Sequence, residues 1–199
     1  MRLLGTGTSP YARIVRMQIL SRGLAERISV EPIATRVESS PLHAFNPTGK
    51  IPTLVLDDGT AISEARLICT YLDTLHNDTP FVHSVDAPQD RAIEGIAIGC
   101  LDGVAVWVRE VRRPENERSP SILQQEAWRA ERCLSWFETH ASRLRPANDY
   151  AMCAIAVALD RLAFSVPEFE WRDRFPKVSA WLDMVEARPE FSATAPSKS

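Results

Sequence analysis

The chain has 199 residues, 45% of them hydrophobic and 25% charged, a composition typical of globular proteins. Its formal net charge of −3 excludes the strongly basic surface that nucleic-acid-binding domains carry. The longest apolar run, Ala151 to Leu159, is far shorter than the roughly 20 residues of a membrane-spanning helix. We therefore expect neither nucleic acid nor a membrane as a partner, and the first residues do not predict a targeting segment.

The first 78 residues alternate between the period-2 pattern of strands and the 3.6-residue pattern of helices. Ser9 and Pro10 predict a helix start, with serine as the cap and proline in the first turn, and Gly23 predicts its end. The predicted order is β-α-β followed by β-β-α, with strands at 2–5, 28–34, 53–56 and 61–62 and helices at 10–22 and 64–75.

The pattern changes near residue 77, where turn-forming residues predict a linker over 79–86. Beyond it only helical patterns remain, at 88–112, 120–144, 149–165 and 176–187, separated by prolines. We therefore predict an α/β domain over residues 1–78 and an all-α domain over residues 87–199.

Four widely spaced cysteines lie in apolar helical surroundings, and no two have CxxC or metal-ligand spacing. This pattern predicts buried free thiols, no metal site and a reducing compartment, by default the cytoplasm. The four are Cys69, Cys100, Cys133 and Cys153.

Five stretches, in this order along the chain, resemble the glutathione S-transferase family. The most specific reads N-P-T-G-K-I-P and resembles the family's N-P-x-G-[KQ]-[VI]-P segment. The resemblance implies a thioredoxin-like α/β domain that holds glutathione, followed by an all-α domain that forms the other wall of the cleft. The stretches are Thr8 to Arg13, Asn46 to Leu54, Ser63 to Leu72, Asp149 to Leu162 and Trp181 to Phe191.

The resemblance makes Ser9 the expected catalytic residue, which would stabilise the glutathione thiolate. At a helix N-terminus, free N–H groups and the helix dipole favour an anion. Two alternatives stay open: Ser9 is only a helix cap, or the neighbouring Thr8 contacts the sulfur.

Pro52 matches the family's cis-proline, a geometry that leaves the N–H and C=O of Ile51 free to pair with the glutathione backbone. A trans proline in an ordinary turn is the alternative. Lys50 is expected to meet the glycine carboxylate of glutathione, unless it is only a solvated lysine.

Glu64 matches the acidic residue that receives the γ-glutamyl amino group. The serine that usually follows it, and binds the γ-glutamyl carboxylate, is here Ala65. The loss of one hydrogen bond to a charged group costs about 1.5–3 kcal/mol, or roughly 10- to 100-fold in affinity. Ser63 lies one residue too early to replace it.

The electrophile is expected to bind against the helix 88–112, where Trp107 is the candidate contact and a core position is the alternative. Trp128, Trp136 and Trp181 are predicted to be core residues, whereas Trp171, among charges, is predicted to be partly exposed.

These expectations combine into a glutathione transferase that conjugates glutathione, its co-substrate, to small hydrophobic electrophiles and forms a homodimer, as the family does. The alternative is a non-catalytic protein that binds glutathione weakly or not at all, and Ala65 favours it. A glutathione-dependent thiol reductase ranks last, because the first turn, Thr8 to Tyr11, contains no cysteine.

Overall fold

A computed structural model describes residues 1–83 and 88–196 of the chain. The described residues separate into two compact units, one formed by 1–83 with 189–196 and the other by 88–188. Of the predicted linker 79–86, residues 84–86 lie outside the described part. The predicted domain limits of 1–78 and 87–199 stay a prediction.

The first unit is built on a mixed four-stranded sheet. Its strands are β1 (Arg2–Gly5), β2 (Ser29–Pro32), β3 (Thr53–Val55) and β4 (Ala61–Ser63), in the spatial order β2-β1-β3-β4. β2 is parallel to β1, whereas β3 and β4 each run antiparallel to their neighbour. The order of elements and the mixed sheet confirm the predicted thioredoxin-like α/β fold.

Two helices of this unit follow the predicted patterns: α1 (Pro10–Ser21) and α2 (Ala65–Leu72). A short 3₁₀ turn, Asp73–Leu75, extends α2 to the predicted end. Leu4 and Val55 pack with Leu42 on one face of the sheet. Since strand side chains alternate, Leu3 and Leu54 point to the opposite face, and both are fully buried.

The second unit is entirely helical in its described residues. It contains α3 (Pro88–Val111), α4 (Pro120–Thr139), α5 (Tyr150–Ser165) and α6 (Pro176–Glu186). α5 is the core helix: its first ten residues, 150–159, are all buried, and the Asp149 carboxylate caps it by accepting the Met152 N–H at 2.9 Å. Within 1–83 and 88–196, none of the helices combines the length and apolar character that crossing a bilayer requires.

The last helix, α7 (Pro189–Ala193), belongs to the first unit, where it contacts α1. The sequence pattern did not indicate this contact, because nothing local distinguishes a helix that returns to an earlier part of the chain. The long-range contact is made by Arg13 of α1, which is buried against α7.

Four predictions of burial are wrong, and one of them is Trp136, which we expected in the core but which is only half-buried. Trp128 is 59% exposed although we expected a core position, and Trp171 is 2% exposed although charged neighbours suggested a surface position. Cys133 is only half-buried, unlike the other three cysteines. In each case the burial depends on which part of the fold packs against the residue, and this packing cannot be predicted from the neighbouring residues in the sequence.

Candidate active site

Three segments with chemistry-bearing residues meet at one end of the sheet. Thr53, the first residue of β3, pairs with Leu4 at the end of β1 and with Ser63 at the end of β4. The turn that follows β1, the Ile51–Pro52 segment before β3 and the Glu64–Ala65 step after β4 therefore lie along the same sheet edge. We call these three segments the edge site.

Ser9 caps α1 at the edge site. Its backbone is extended (φ −75°, ψ 120°), and its Oγ accepts the Ala12 N–H at 3.2 Å. Its own N–H donates to the Thr6 carbonyl at 3.2 Å, which closes the turn between β1 and α1. A serine oxygen that accepts one bond keeps its hydroxyl proton, so Ser9 can still donate to an anion.

Thr8 lies in the same turn and is half-buried. Within residues 1–83 and 88–196, its hydroxyl has no hydrogen-bond partner. Both hydroxyls, Thr8 and Ser9, therefore remain available as donors, and the geometry alone does not choose between them.

A cavity of about 210 Å³ adjoins this turn, bounded by β1, β2 and α1. Among the described residues that line it, the cationic group is that of Arg16, whose pKa is lowered by burial and by the nearby charge of Arg13. A molecule in this cavity would meet mostly apolar walls and one guanidinium group. The walls are formed by Leu3, Gly5, Thr6, Gly7, Ala12, Arg16, Val30 and Pro32.

Asn46 shapes the loop that leads into Ile51. Its side chain is 3% exposed, and its Nδ2 donates to the Lys50 carbonyl at 2.9 Å and to Thr53 Oγ1 at 3.1 Å. Its Oδ1 accepts the Thr48 N–H at 3.0 Å, and Gly49 takes a φ of 63° to close the turn. The loop is therefore fixed by one buried amide. Our sequence analysis missed this role, although a turn-forming asparagine before Pro-Thr-Gly is the available signal.

The Ile51–Pro52 peptide bond is cis, and Pro52 is buried. Neither the N–H nor the C=O of Ile51 forms a hydrogen bond with another residue among 1–83 and 88–196. Since β3 begins only at Thr53, this donor and this acceptor stand at the end of the ladder, where an extended peptide can pair with them.

Glu64 joins β4 to α2 through an unusual backbone. Its φ is 78°, a region that residues other than glycine seldom occupy and that costs on the order of 1–3 kcal/mol. Its Oε2 accepts the Arg66 N–H at 3.0 Å and so caps α2. The N–H of Ala65, the first of α2, has no partner in the described part of the chain. It is therefore a free donor at a helix N-terminus.

The other two predicted residues are placed differently. The Lys50 side chain is exposed, and no group among residues 1–83 and 88–196 pairs with its ammonium. Trp107 lies in α3 of the helical unit, is 6% exposed and packs edge-to-face on Phe169, with ring centroids 5.2 Å apart. Trp107 is thus a core residue of its unit, and its contact with a substrate stays a prediction.

Comparison with known proteins adds an independent observation. Residues 8–75 match the family model of the glutathione S-transferase N-terminal domain. The chain is 28% identical to the uncharacterized GST-like protein YibF of Escherichia coli K12, and the alignment covers 100% of both.

Two solved structures resemble the whole chain. A glutathione transferase family member from Pseudomonas fluorescens Pf-5, with bound glutathione, has a TM-score of 0.89 at 28% identity and covers 98% of each chain. A glutathione S-transferase from Methylobacillus flagellatus KT, with glutathione bound, has a TM-score of 0.85 at 26% identity, covering 98% of this chain and 99% of the other.

Proposed function

Because this chain belongs to the glutathione S-transferase family, we propose that it binds glutathione at the edge site and transfers the glutathione sulfur to small electrophiles. The observation that carries the proposal is the double pairing of Thr53 with Leu4 and Ser63, which aligns three segments with unpaired polar groups. Glutathione is a tripeptide with a thiol and two carboxylates, and these groups match the kinds of partner that the three segments offer.

The middle of the tripeptide would pair with Ile51. Its unpaired N–H and C=O accept a short extended peptide as an added strand, which gives affinity through main-chain bonds. The γ-glutamyl end would lie at the start of α2, where the Ala65 N–H meets the carboxylate and Glu64 the amino group. Lys50 is within the same loop and would meet the glycine carboxylate.

The thiol would then lie at the start of α1. To lower a thiol pKa by about two units requires about 2.7 kcal/mol of preferential stabilisation of the thiolate. One hydrogen bond from the Ser9 hydroxyl to the charged sulfur supplies about 1.5–3 kcal/mol, and the helix dipole adds about 0.3–1 kcal/mol. These two contributions suffice without a general base. The oriented thiolate attacks the electrophile directly.

A second candidate function, a glutathione-binding protein without conjugating activity, is favoured by one observation. Ala65 has no hydroxyl for the γ-glutamyl carboxylate, and its side chain is 1% exposed. Weaker binding lowers the fraction of enzyme that carries the thiolate. Calorimetric titration with glutathione, followed by an aryl-halide conjugation assay, distinguishes the two functions: binding without turnover would support the second.

The role of Ser9 is tested by Ser9→Ala, with Thr8→Ala as the matched control. We expect Ser9→Ala to raise the pKa of the bound thiol, to lower conjugation near pH 7 by about 10- to 100-fold and to recover activity at higher pH. Affinity for an S-alkylated glutathione should not change, because that ligand has no thiolate. A pH–rate profile that moves in Thr8→Ala instead would assign the chemistry to Thr8. A profile that moves in neither variant would contradict a hydroxyl donor.

Two further properties belong to the proposal. The protein acts in the cytoplasm, in keeping with its unpaired cysteines, and forms a symmetric homodimer, as family membership implies. Light scattering at micromolar concentration that returns the mass of one chain would contradict the dimer.

A further inference from the structure

Helices α3 and α4 pack closely and antiparallel within the helical unit. A Cβ placed on Gly103 of α3 would lie 2.6 Å from the Cδ of Arg129 and 2.7 Å from Glu126 Oε2, both of α4. Nearer the connecting loop, the Ser119 N–H donates to Glu110 Oε1 at 2.6 Å. The first contact lies farther from the connecting loop and the second lies nearer to it. Together they fix the register of α3 against α4.

The same register brings two cysteines together. Cys100 lies three residues before Gly103 on the same face of α3, and Cys133 lies four residues after Arg129 on the same face of α4. The two thiols accordingly face each other and share a hydrogen bond. Cys100 is 2% exposed, whereas Cys133 is half-buried and can be reached from solvent.

The surroundings separate the two thiols chemically. The hydrogen bond from Cys100 lowers the pKa of Cys133, and the charges of Arg129 and Arg132 lower it further against the opposing effect of burial. The same hydrogen bond, together with burial, raises the pKa of Cys100. Cys133 is also the more exposed of the two thiols, so it is the one that a disulfide in solution reaches first.

We propose that Cys100 and Cys133 form a redox-active dithiol, which glutathione disulfide oxidises to an intramolecular disulfide that joins α3 to α4. In the first step the Cys133 thiolate attacks one sulfur of glutathione disulfide; the S–S bond breaks and one glutathione thiolate leaves. In the second step the Cys100 thiol loses its proton to the departing sulfur and attacks Cys133, which releases the second glutathione. The two protein thiols lose two electrons and two protons, and one glutathione disulfide becomes two glutathione molecules.

This dithiol lies in the helical unit, and its chemistry requires neither Ser9 nor the edge site. Failure of glutathione conjugation would therefore leave the proposal intact, and failure of the dithiol to oxidise would leave the proposed function intact. The two can be tested separately on the same protein.

The test is to incubate the full chain with graded ratios of oxidised to reduced glutathione, and to follow its intact mass without reductant. We expect a loss of two hydrogen atoms and, after digestion, one crosslinked peptide that contains Cys100 and Cys133. In Cys100→Ala the reaction should stop at one attached glutathione on Cys133. In Cys133→Ala neither product should form at this pair. Cys153→Ala, which alters a buried cysteine of α5, is the matched control and should oxidise like the unaltered chain.

The unaltered chain gives the decisive result even if a variant fails to fold. A chain that stays fully reduced, that stops at one attached glutathione, or that yields a disulfide between other cysteines would overturn the proposal. The same conclusion follows if Cys153→Ala abolishes the product.

Discussion

The guanidinium carbon of Arg13 lies 4.0 Å from the centroid of the Phe191 ring. Arg13 Nη2 also donates to the Phe191 carbonyl at 3.1 Å, and Nε donates to Thr194 Oγ1 at 3.4 Å. All three residues are buried. A single side chain of α1, one turn after Ser9, thus holds the end of the chain against the α/β unit.

We therefore expect Arg13→Met to destabilise the protein more than the same substitution of a partly exposed arginine. The change removes hydrogen bonds from a charged donor, each worth about 1.5–3 kcal/mol, and leaves the buried Phe191 carbonyl without that donor. We expect the free energy of unfolding to fall by more than about 2 kcal/mol in urea denaturation. Arg16→Met, on the same helix but half-exposed, is the control and should cost less than about 1 kcal/mol. Equal losses in the two variants would contradict a specific role for Arg13.

Gly103→Ala tests the close packing of α3 on α4. Alanine normally stabilises a helix interior by about 1 kcal/mol over glycine. At Gly103 the new Cβ would lie 2.6 Å from Arg129 Cδ and 2.7 Å from the buried Glu126 carboxylate, so it must displace their ion pair. We expect a lower melting temperature for Gly103→Ala and a higher one for Gly95→Ala, whose Cβ would meet no atom within 4 Å. A higher melting temperature for both would contradict the close contact.

Local patterns sufficed for most elements of the fold. α1 begins after the cap Ser9, at Pro10, and ends before Gly23, as predicted. Capping and chain reversal are decided by a few neighbouring residues, which is why the sequence indicates them. The predicted helix 120–144 was too long: α4 ends at Thr139, because the backbone of His140 leaves the helical region (φ −108°, ψ 30°), and a short 3₁₀ turn over Ala141–Arg143 follows.

The candidate site was less accessible to sequence reasoning. Residues that lie next to a recognisable motif, such as Ile51 and Glu64, could be named in advance. The role of Asn46 was missed although its position before Pro-Thr-Gly indicates a turn, because the four groups that its buried amide contacts come together only in the folded loop. Likewise, the pairing of Cys100 with Cys133 depends on the register of two helices, which no local pattern specifies.

Asn46→Ala should loosen the loop that carries Lys50 and Ile51. Several buried hydrogen bonds are lost at once, each with a net value of about 1 kcal/mol, and the Thr48 N–H loses its acceptor. We expect unfolding to become easier by about 2–4 kcal/mol and glutathione affinity, measured by calorimetry, to fall. Asn77→Ala changes an exposed asparagine of the same unit and should alter neither quantity. Unchanged affinity in Asn46→Ala would show that this loop does not hold the ligand.

Ala65→Ser tests whether the missing hydroxyl limits binding of glutathione. The residue is the first of α2, its N–H is unpaired, and its side chain is 1% exposed, so an added hydroxyl would lie at a buried helix start. Serine is accepted in a first turn, and one hydrogen bond to a carboxylate should tighten binding by about 10-fold or more. Burial of an unpaired hydroxyl costs about 1–3 kcal/mol. The free protein should therefore melt at a slightly lower temperature, and saturating glutathione should remove that difference.

Ser63→Ala, which removes the neighbouring hydroxyl on β4, is the control and should leave the affinity unchanged. If calorimetry gives the same dissociation constant for Ala65→Ser as for the unaltered chain, the γ-glutamyl carboxylate does not lie at the start of α2.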